Sequence, residues 1–346
     1  MFFASDNTGP VPAQVLAALA EANQGYQSGY GADTINQAVQ AKIREIFEAP
    51  DAAVYLVATG TAANSLALAT LANPWDTVFC SPVAHIHEDE CNAPEFYMGG
   101  AKLTLVGDSD KITPDQLRVA IEAEQTRGVH GPQRGPVSIT QVTEQGRVYT
   151  LDEISALCAV AQSYGLPVHM DGARFTNALV SLGCSAAEMT WKAGIDAVSF
   201  GGTKNGLMGV EAVIFFDPAK AWEFELRRKR GGHLFSKHRY LSAQMLAYLT
   251  DDLWLDLARR ANDNAAHLAS GLSTLSEVSF LHYPQANLMF AYMPKPLHDR
   301  AFAAGAQYYL WGDLETAQNA DLVKCRFVCD WSLDKSQIDQ FIALLQ

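Results

Sequence analysis

Lys204 stands in Gly201-Gly202-Thr203-Lys204-Asn205-Gly206, directly after the apolar run at 196–200. Small neighbours let the backbone turn and leave room around the amine, and a desolvated amine of lowered pKa suits Schiff-base chemistry. Taken alone, the segment also reads as a loop lysine in a glycine turn. Asp171 closes another apolar run, in His169-Met170-Asp171-Gly172-Ala173-Arg174. A carboxylate there is partly desolvated and needs a cationic partner. The other reading makes it the N-cap of a helix beginning near Ala173, with Arg174 on the surface. Thr59-Gly60-Thr61-Ala62-Ala63-Asn64 follows a third apolar run and opens a helical pattern. Free N–H groups and the helix dipole there offer a phosphate site, although an ordinary strand-to-helix turn looks alike. It is neither a Walker A loop nor a G-x-G-x-x-G turn. His85 and His87 follow a fourth run. On an extended segment both would face one way, as in H-x-H metal pairs, but no third ligand has matching spacing and no metal is expected. Glu88-Asp89-Glu90 reads as a solvated helix start, and a histidine at a strand end can stack on an aromatic ring.

The elements that must hold these residues alternate. Strands are predicted at 53–58, 77–82, 101–107, 137–143, 166–171, 196–200 and 210–216, and helices at 62–72, 113–126 and 151–165. Short apolar strands separated by amphipathic helices predict an α/β unit with a mostly parallel sheet covered on both faces. Ligands of such sheets bind at the carboxyl ends of the strands, where the residues above fall. After Pro218 the pattern becomes helical over about 219–275, interrupted at Gly231-Gly232-His233. Strands at 286–293, 307–313 and 322–329 and helices at 296–305 and 333–346 then predict a smaller α+β C-terminal domain. The expected division is 1–250 for the large domain, with an N-terminal arm, and 251–346 for the small one.

Composition narrows the partners. With 25 Lys+Arg against 38 Asp+Glu the formal charge is −13, and the only basic run is Arg227–Arg230. Nucleic acid and anionic membrane are poor candidates on that balance. Charged residues are 18% of the chain, below the ~25% of an average soluble domain. A partner subunit covering part of the surface accounts for the shortfall. Cys80, Cys91, Cys158, Cys184, Cys325 and Cys329 form no C-x-x-C and no framework, which reads as reduced thiols in a cytoplasmic protein. The opening MFFASDNTGP lacks a basic segment and a long apolar core, so no signal peptide is expected. The long weakly polar stretch at 52–75 is broken by Thr59, Gly60, Thr61, Asn64, Ser65 and Asn73, and reads as a buried strand and helix, not a membrane span.

A phosphate turn, a histidine, an acid, an arginine and a lysine thus occur in that order at strand ends. Those are the parts that pyridoxal 5'-phosphate (PLP) requires: an anion cradle, a ring platform, an acid for the pyridine nitrogen and a Schiff-base lysine. Here the chain resembles the fold-type I PLP-dependent enzymes, and within them the low-specificity L-threonine aldolases of the β-eliminating lyase group. The resemblance runs through Ser5–Asn7, Tyr30–Asp33, Thr59–Asn64, Ala84–Phe96, His169–Ala178, Ser199–Gly206 and Cys325–Trp331. HMDGAR followed by GGTKNG is its most specific pair.

The resemblance implies a transferase-like, PLP-binding large domain and assigns roles by position. Lys204 would carry the cofactor, Asp171 would face the pyridine nitrogen, His85 would stack on the ring, and Gly60 and Thr61 would hold the phosphate. Ser5, Arg174 and Arg326 would bind the substrate carboxylate, for which a guanidinium fork is suited. The implied reaction cleaves L-threonine, L-allo-threonine or related β-hydroxy-α-amino acids to glycine and an aldehyde. Its base would be His85 or Glu144, with His85 preferred. Many relatives have a histidine in a T-H-x-G segment where this chain has Thr143-Glu144-Gln145-Gly146. Lys237 would reach a phosphate across a subunit interface in a homo-oligomer, a dimer or a dimer of dimers (a homotetramer). The alternatives are another PLP reaction such as β-elimination, and a non-catalytic oligomeric binding protein.

Overall fold

A computed structural model describes residues 1–346. Seven strands form the larger sheet: β1 (Ala53–Val57), β2 (Asp76–Cys80), β3 (Lys102–Leu105), β4 (Gln133–Thr140), β5 (Val168–Gly172), β6 (Ala197–Gly201) and β7 (Glu211–Phe215), in the order β1-β7-β6-β5-β4-β2-β3. β2, β3, β4, β5 and β6 pair in parallel, while β7 runs antiparallel to both β1 and β6. The fold class is the expected α/β one, a mostly parallel sheet with helices. The direction of β7 is a finding that its apolar run alone does not carry. Its cause is chain length: the 202–210 connection is shorter than the dozen or so residues a parallel crossover needs.

β1, β2, β5, β6 and β7 are buried at every position, so both faces of the sheet are covered. Over one face Phe47, Phe175 and Phe200 pack at ring separations of 5.3–5.7 Å, in edge and tilted contacts. The opposite face takes the helix Gly60–Leu71, whose residues from Ala62 to Thr70 are all buried. Such a helix has no polar face to show solvent, which explains the weakly polar stretch noted at 52–75. No helix is long and apolar enough to cross a membrane.

Beyond the large sheet the helical region resolves into Ala221–Arg230, Arg239–Leu249 and Leu253–Leu272. The last of these links two cores. Trp254, Leu257 and Ala258 enter the large one, while Ala265, Leu268, Ala269 and Leu272 enter a second. That second core underlies the antiparallel sheet of β8 (Ser279–Phe280), β9 (Leu288–Pro294), β10 (Tyr309–Trp311) and β11 (Leu322–Val328), ordered β10-β11-β9-β8. The N-terminal arm is tied into it: Phe2 bridges Gln307, and Phe3 packs on Phe327 and Phe341. Ser5 to Gly9 are thereby carried toward the carboxyl ends of the large sheet. Two early helices, Ala13–Ala22 and Thr34–Ile46, pack on Arg239–Leu249.

Two local expectations are corrected. His85 and His87 do not lie on an extended segment but on the helical turn His85–Glu88. There residues two apart point in different directions, and His87 is exposed. Glu90 is not solvated: its side chain is fully buried.

Candidate active site

A cavity of about 390 Å³ opens at the carboxyl ends of β1, β4, β5 and β6. Gly60, Thr61, His85, Glu144, Asp171, Arg174 and Lys204 all line it, drawn together from segments far apart in the chain. Ser5 and Arg326 lie outside its wall, on the arm and on β11, and Lys237 is an exposed residue elsewhere.

The anion end is built by the helix Gly60–Leu71. Thr59 caps it, accepting from the Ala62 N–H at 3.1 Å. A Cβ at Gly60 would meet no atom within 4 Å, so the cradle at this helix start is open. Open space before N–H groups at a positive helix terminus fits a phosphate.

Asp171 is the last but one residue of β5 and is 3% exposed. Its Oδ1 accepts from the Ala173 N–H at 3.0 Å, but it caps no helix. The helix that follows is Phe175–Leu182, with Arg174 at its N-cap position and no side-chain cap, and Arg174 is held against Asp6 rather than on the surface. Its Oδ2 accepts from Asn64 Nδ2 at 2.8 Å, and the same amide donates to Glu90 Oε1 at 2.9 Å. Glu90 Oε1 also bonds His85 Nδ1 at 2.8 Å. One polar chain therefore runs His85–Glu90–Asn64–Asp171. The hydrogen bond to Glu90 raises the His85 pKa against the opposing effect of burial, with Asp171 adding to the rise. Glu90 Oε2 and Asn64 Oδ1 have no protein partner.

Glu144 sits in a stiff loop. Gln141 exchanges hydrogen bonds with the Tyr149 backbone, and Thr143 donates to Asp110, which also pairs with Arg147. Glu144 Oε1 accepts from the His85 N–H and from Thr140 Oγ1, both at 2.8 Å, leaving Oε2 unpartnered. Burial pushes the carboxyl up to about 7, against the lowering effect of those hydrogen bonds. A carboxylate of that pKa with a free oxygen is suited to taking or giving a proton near neutrality.

Lys204 follows β6 in the short turn Thr203–Asn205. Burial and then Arg174 push its amine pKa down, while Asp6, Asp171 and Glu211 pull it up.

Arg174 is held by Asp6 in a bidentate pair, Nε to Oδ2 at 2.7 Å and Nη2 to Oδ1 at 3.0 Å. Burial alone would raise the Asp6 carboxyl, but Arg174 and Lys204 bring it below its usual range. Arg326 is clasped by Tyr309 and Trp311, with its guanidinium 5.2 and 5.4 Å from their rings, and donates to the Ala4 carbonyl at 3.1 Å. Its Nε is buried without a partner, and burial and then Arg174 depress its pKa. Two guanidinium groups that repel each other, one with an idle donor, favour an added carboxylate.

The residues therefore fit PLP: an open cradle at a helix start, a buried acid held by two donors, and a half-buried lysine on one cavity wall. Asp6, Asn64, Glu90 and Glu211 share this site but were not singled out from sequence. Asn64 and Asp6 fall within TGTAAN and SDN. Glu211 was marked only by a charge inside the apolar run at 210–216, and nothing in the acidic stretch marked Glu90.

Comparison with known proteins agrees. A family model described as beta-eliminating lyase matches residues 3–295. A low specificity L-threonine aldolase of Pseudomonas aeruginosa is 40% identical over 97% of this chain and 94% of its own length. One from a Pseudomonas species is 39% identical over 99% and 96%. The solved threonine aldolase of Leishmania major superposes with a TM-score of 0.92 at 25% identity, covering 99% of this chain and 98% of that one.

Proposed function

Because the chain belongs to the beta-eliminating lyase family, we propose that it is a PLP-dependent carbon–carbon lyase that cleaves L-threonine, L-allo-threonine and related β-hydroxy-α-amino acids, phenylserine among them, to glycine and an aldehyde. The observation that carries this reading is the joint placement of Lys204, Asp171 and the Gly60 cradle on one cavity.

PLP, when bound, takes up the electron pair released from the Cα–Cβ bond. Lys204 would tether its carbonyl carbon, Asp171 would keep a proton on its ring nitrogen, Gly60 and Thr61 would take its phosphate, and His85 would cover its ring. Arg174 and Arg326, with Ser5, hold the substrate carboxylate and so set which bond at Cα is aligned for cleavage. Asp6 supports this by presenting Arg174 in one orientation.

A base must remove the β-hydroxyl proton. The resemblance favours His85, but its ring is tied to Glu90, which favours the charged imidazolium. Glu144 has the free oxygen and a pKa near 7, and we assign it the proton, directly or through one water. Its acid form then returns a proton after cleavage. In the wild type, kcat/KM is expected to fall as pH drops through about 7, because Glu144 loses its basic form there. Glu144→Gln is expected to lower kcat about 10² to 10⁴-fold, the range for general base catalysis, and to flatten that acid limb. A pH–rate profile of both proteins checks this; an unchanged limb would return the role to His85.

The same reading treats 1–250, arm included, as the PLP-binding unit and 251–346 as the smaller one, in keeping with β1–β7 before the boundary and β8–β11 after it. A homo-oligomer, a dimer or dimer of dimers in the cytoplasm, is part of it. Exposed Tyr26, Tyr30 and Phe235 are the apolar surface a second subunit would cover. The test of function is product analysis on L-threonine, L-allo-threonine and L-phenylserine. Glycine with the matching aldehyde supports aldol cleavage, whereas ammonia with a keto acid would identify β-elimination. No turnover with bound PLP would leave a binding protein.

A further inference from the structure

The mechanism above uses no residue of β7, yet β7 places a carboxylate in the site. Because that strand runs antiparallel to its neighbours, its first residue, not its last, reaches the end of the sheet where the cavity lies. Glu211 pairs in register with Gly201 at the end of β6 and with Val57 at the end of β1. It is 6% exposed and lines the same cavity as Lys204. Its Oε2 accepts the Gly202 N–H at 2.6 Å. The carboxylate thus holds the turn that leads into Lys204 by its first residue. That turn lies tightly on the segment leading into β7: a Cβ at Gly202 would come within 2.6 Å of both the Val210 carbonyl oxygen and the Leu207 side chain. A hydrogen-bonding amide could shape such a turn equally well, and burying a carboxylate carries a desolvation cost. A glutamate adds what an amide cannot: charge.

We propose that Glu211 is a positioning residue for Lys204, clamping the turn that carries the lysine and setting a fixed negative charge beside its nitrogen. The inference rests on the reading that Lys204 bears the cofactor. The charged groups acting on Lys204 come from every side: Arg174 from the loop after β5, Asp6 from the arm, Asp171 from β5 and Glu211 from β7, with His85 also within electrostatic range. Burial pushes the Glu211 carboxyl up to about 7, against Thr203, Gly202 and Lys204, so it is ionised in the alkaline range where a lysine-bound nitrogen gives up its proton. Without that charge the nitrogen should release its proton at lower pH.

Glu211→Gln keeps the shape and an acceptor oxygen but removes the charge. The experiment is a spectrophotometric pH titration of the holoenzyme, wild type and variant, following the absorbance of the lysine-bound cofactor near the visible edge, with no substrate present. The expected result is a midpoint about one pH unit or more lower in E211Q, the scale for losing an opposite charge at close range, with cofactor retained and the thermal midpoint little changed. If the variant shows no more deprotonation at any pH than the wild type, the inference is overturned. If E211Q does not hold cofactor, Glu211→Asp decides: its retracted charge should lower the midpoint by a smaller amount, and a wild-type midpoint overturns the proposal. A wild type without any lysine-bound absorbance would instead overturn the assignment of Lys204.

Discussion

Replacing Lys204 with alanine is expected to abolish the absorbance of the lysine-bound cofactor near the visible edge and to reduce kcat on the order of 10⁴-fold, roughly 5 kcal/mol of lost transition-state stabilisation. The effect should be this large because no other amine can substitute. Lys192 is paired with Glu48 on the surface and Lys237 is exposed outside the cavity, so neither lines the wall that Asp171 and Gly60 share. The surroundings of Lys204 also prepare it. Burial and Arg174 make its neutral form accessible, while Asp6, Asp171 and Glu211 limit how far that goes. A small exogenous amine should restore part of the turnover in the space the side chain leaves, whereas a merely structural lysine would show no such rescue. Absorbance spectra with and without methylamine, beside aldehyde release, check both statements. An unchanged spectrum in Lys204→Ala would end the assignment.

The second large effect is expected at Asp171. Asp171→Asn preserves the size of the side chain and an acceptor for the Ala173 N–H, but removes the charge that, in the proposed function, would keep the pyridine nitrogen protonated. A loss in kcat of about a thousandfold, ~4 kcal/mol, is expected, comparable to removing a preorganised electrostatic partner from a transition state. Two displacements should accompany it. Asp171 contributes to the raised His85 pKa and to the raised Glu144 pKa, so both groups should titrate at lower pH in the variant. For Glu144 this moves the acid limb of kcat/KM to lower pH. A variant with wild-type kcat, or a loss in kcat with an unmoved limb, would contradict the electrostatic link between these groups.

How much of this was legible in the sequence follows from what each residue interacts with. Lys204, Asp171 and Gly60 were visible because each follows an apolar strand, and strand ends in a parallel sheet converge whatever the remaining packing does. The alternation of short apolar runs and helical patterns was enough to bring them together. Asp6 and Glu90 owe their roles to contacts 168 and 5 residues away along the chain. Glu90 in particular sits in an acidic stretch that looks solvated. Only the helical turn at His85–Glu88 brings its carboxylate back to Nδ1 of the imidazole. Glu211 was hidden for a third reason. Its place at the site depends on β7 running antiparallel, which follows from the brevity of the 202–210 connection and not from the apolar run itself. The residues alone leave Arg174 on the surface and the resemblance makes it a carboxylate ligand; its bidentate contact with Asp6 needs the arm that Phe2 and Phe3 anchor in the second core.

The proposed chemistry requires one covalent attachment, and reducing it in place tests it most directly. Treating the holoenzyme with borohydride and mapping the modified peptides should put the cofactor on Lys204 alone, within the segment Gly201–Gly206. Cofactor found on a different lysine, or none retained after reduction, would contradict it.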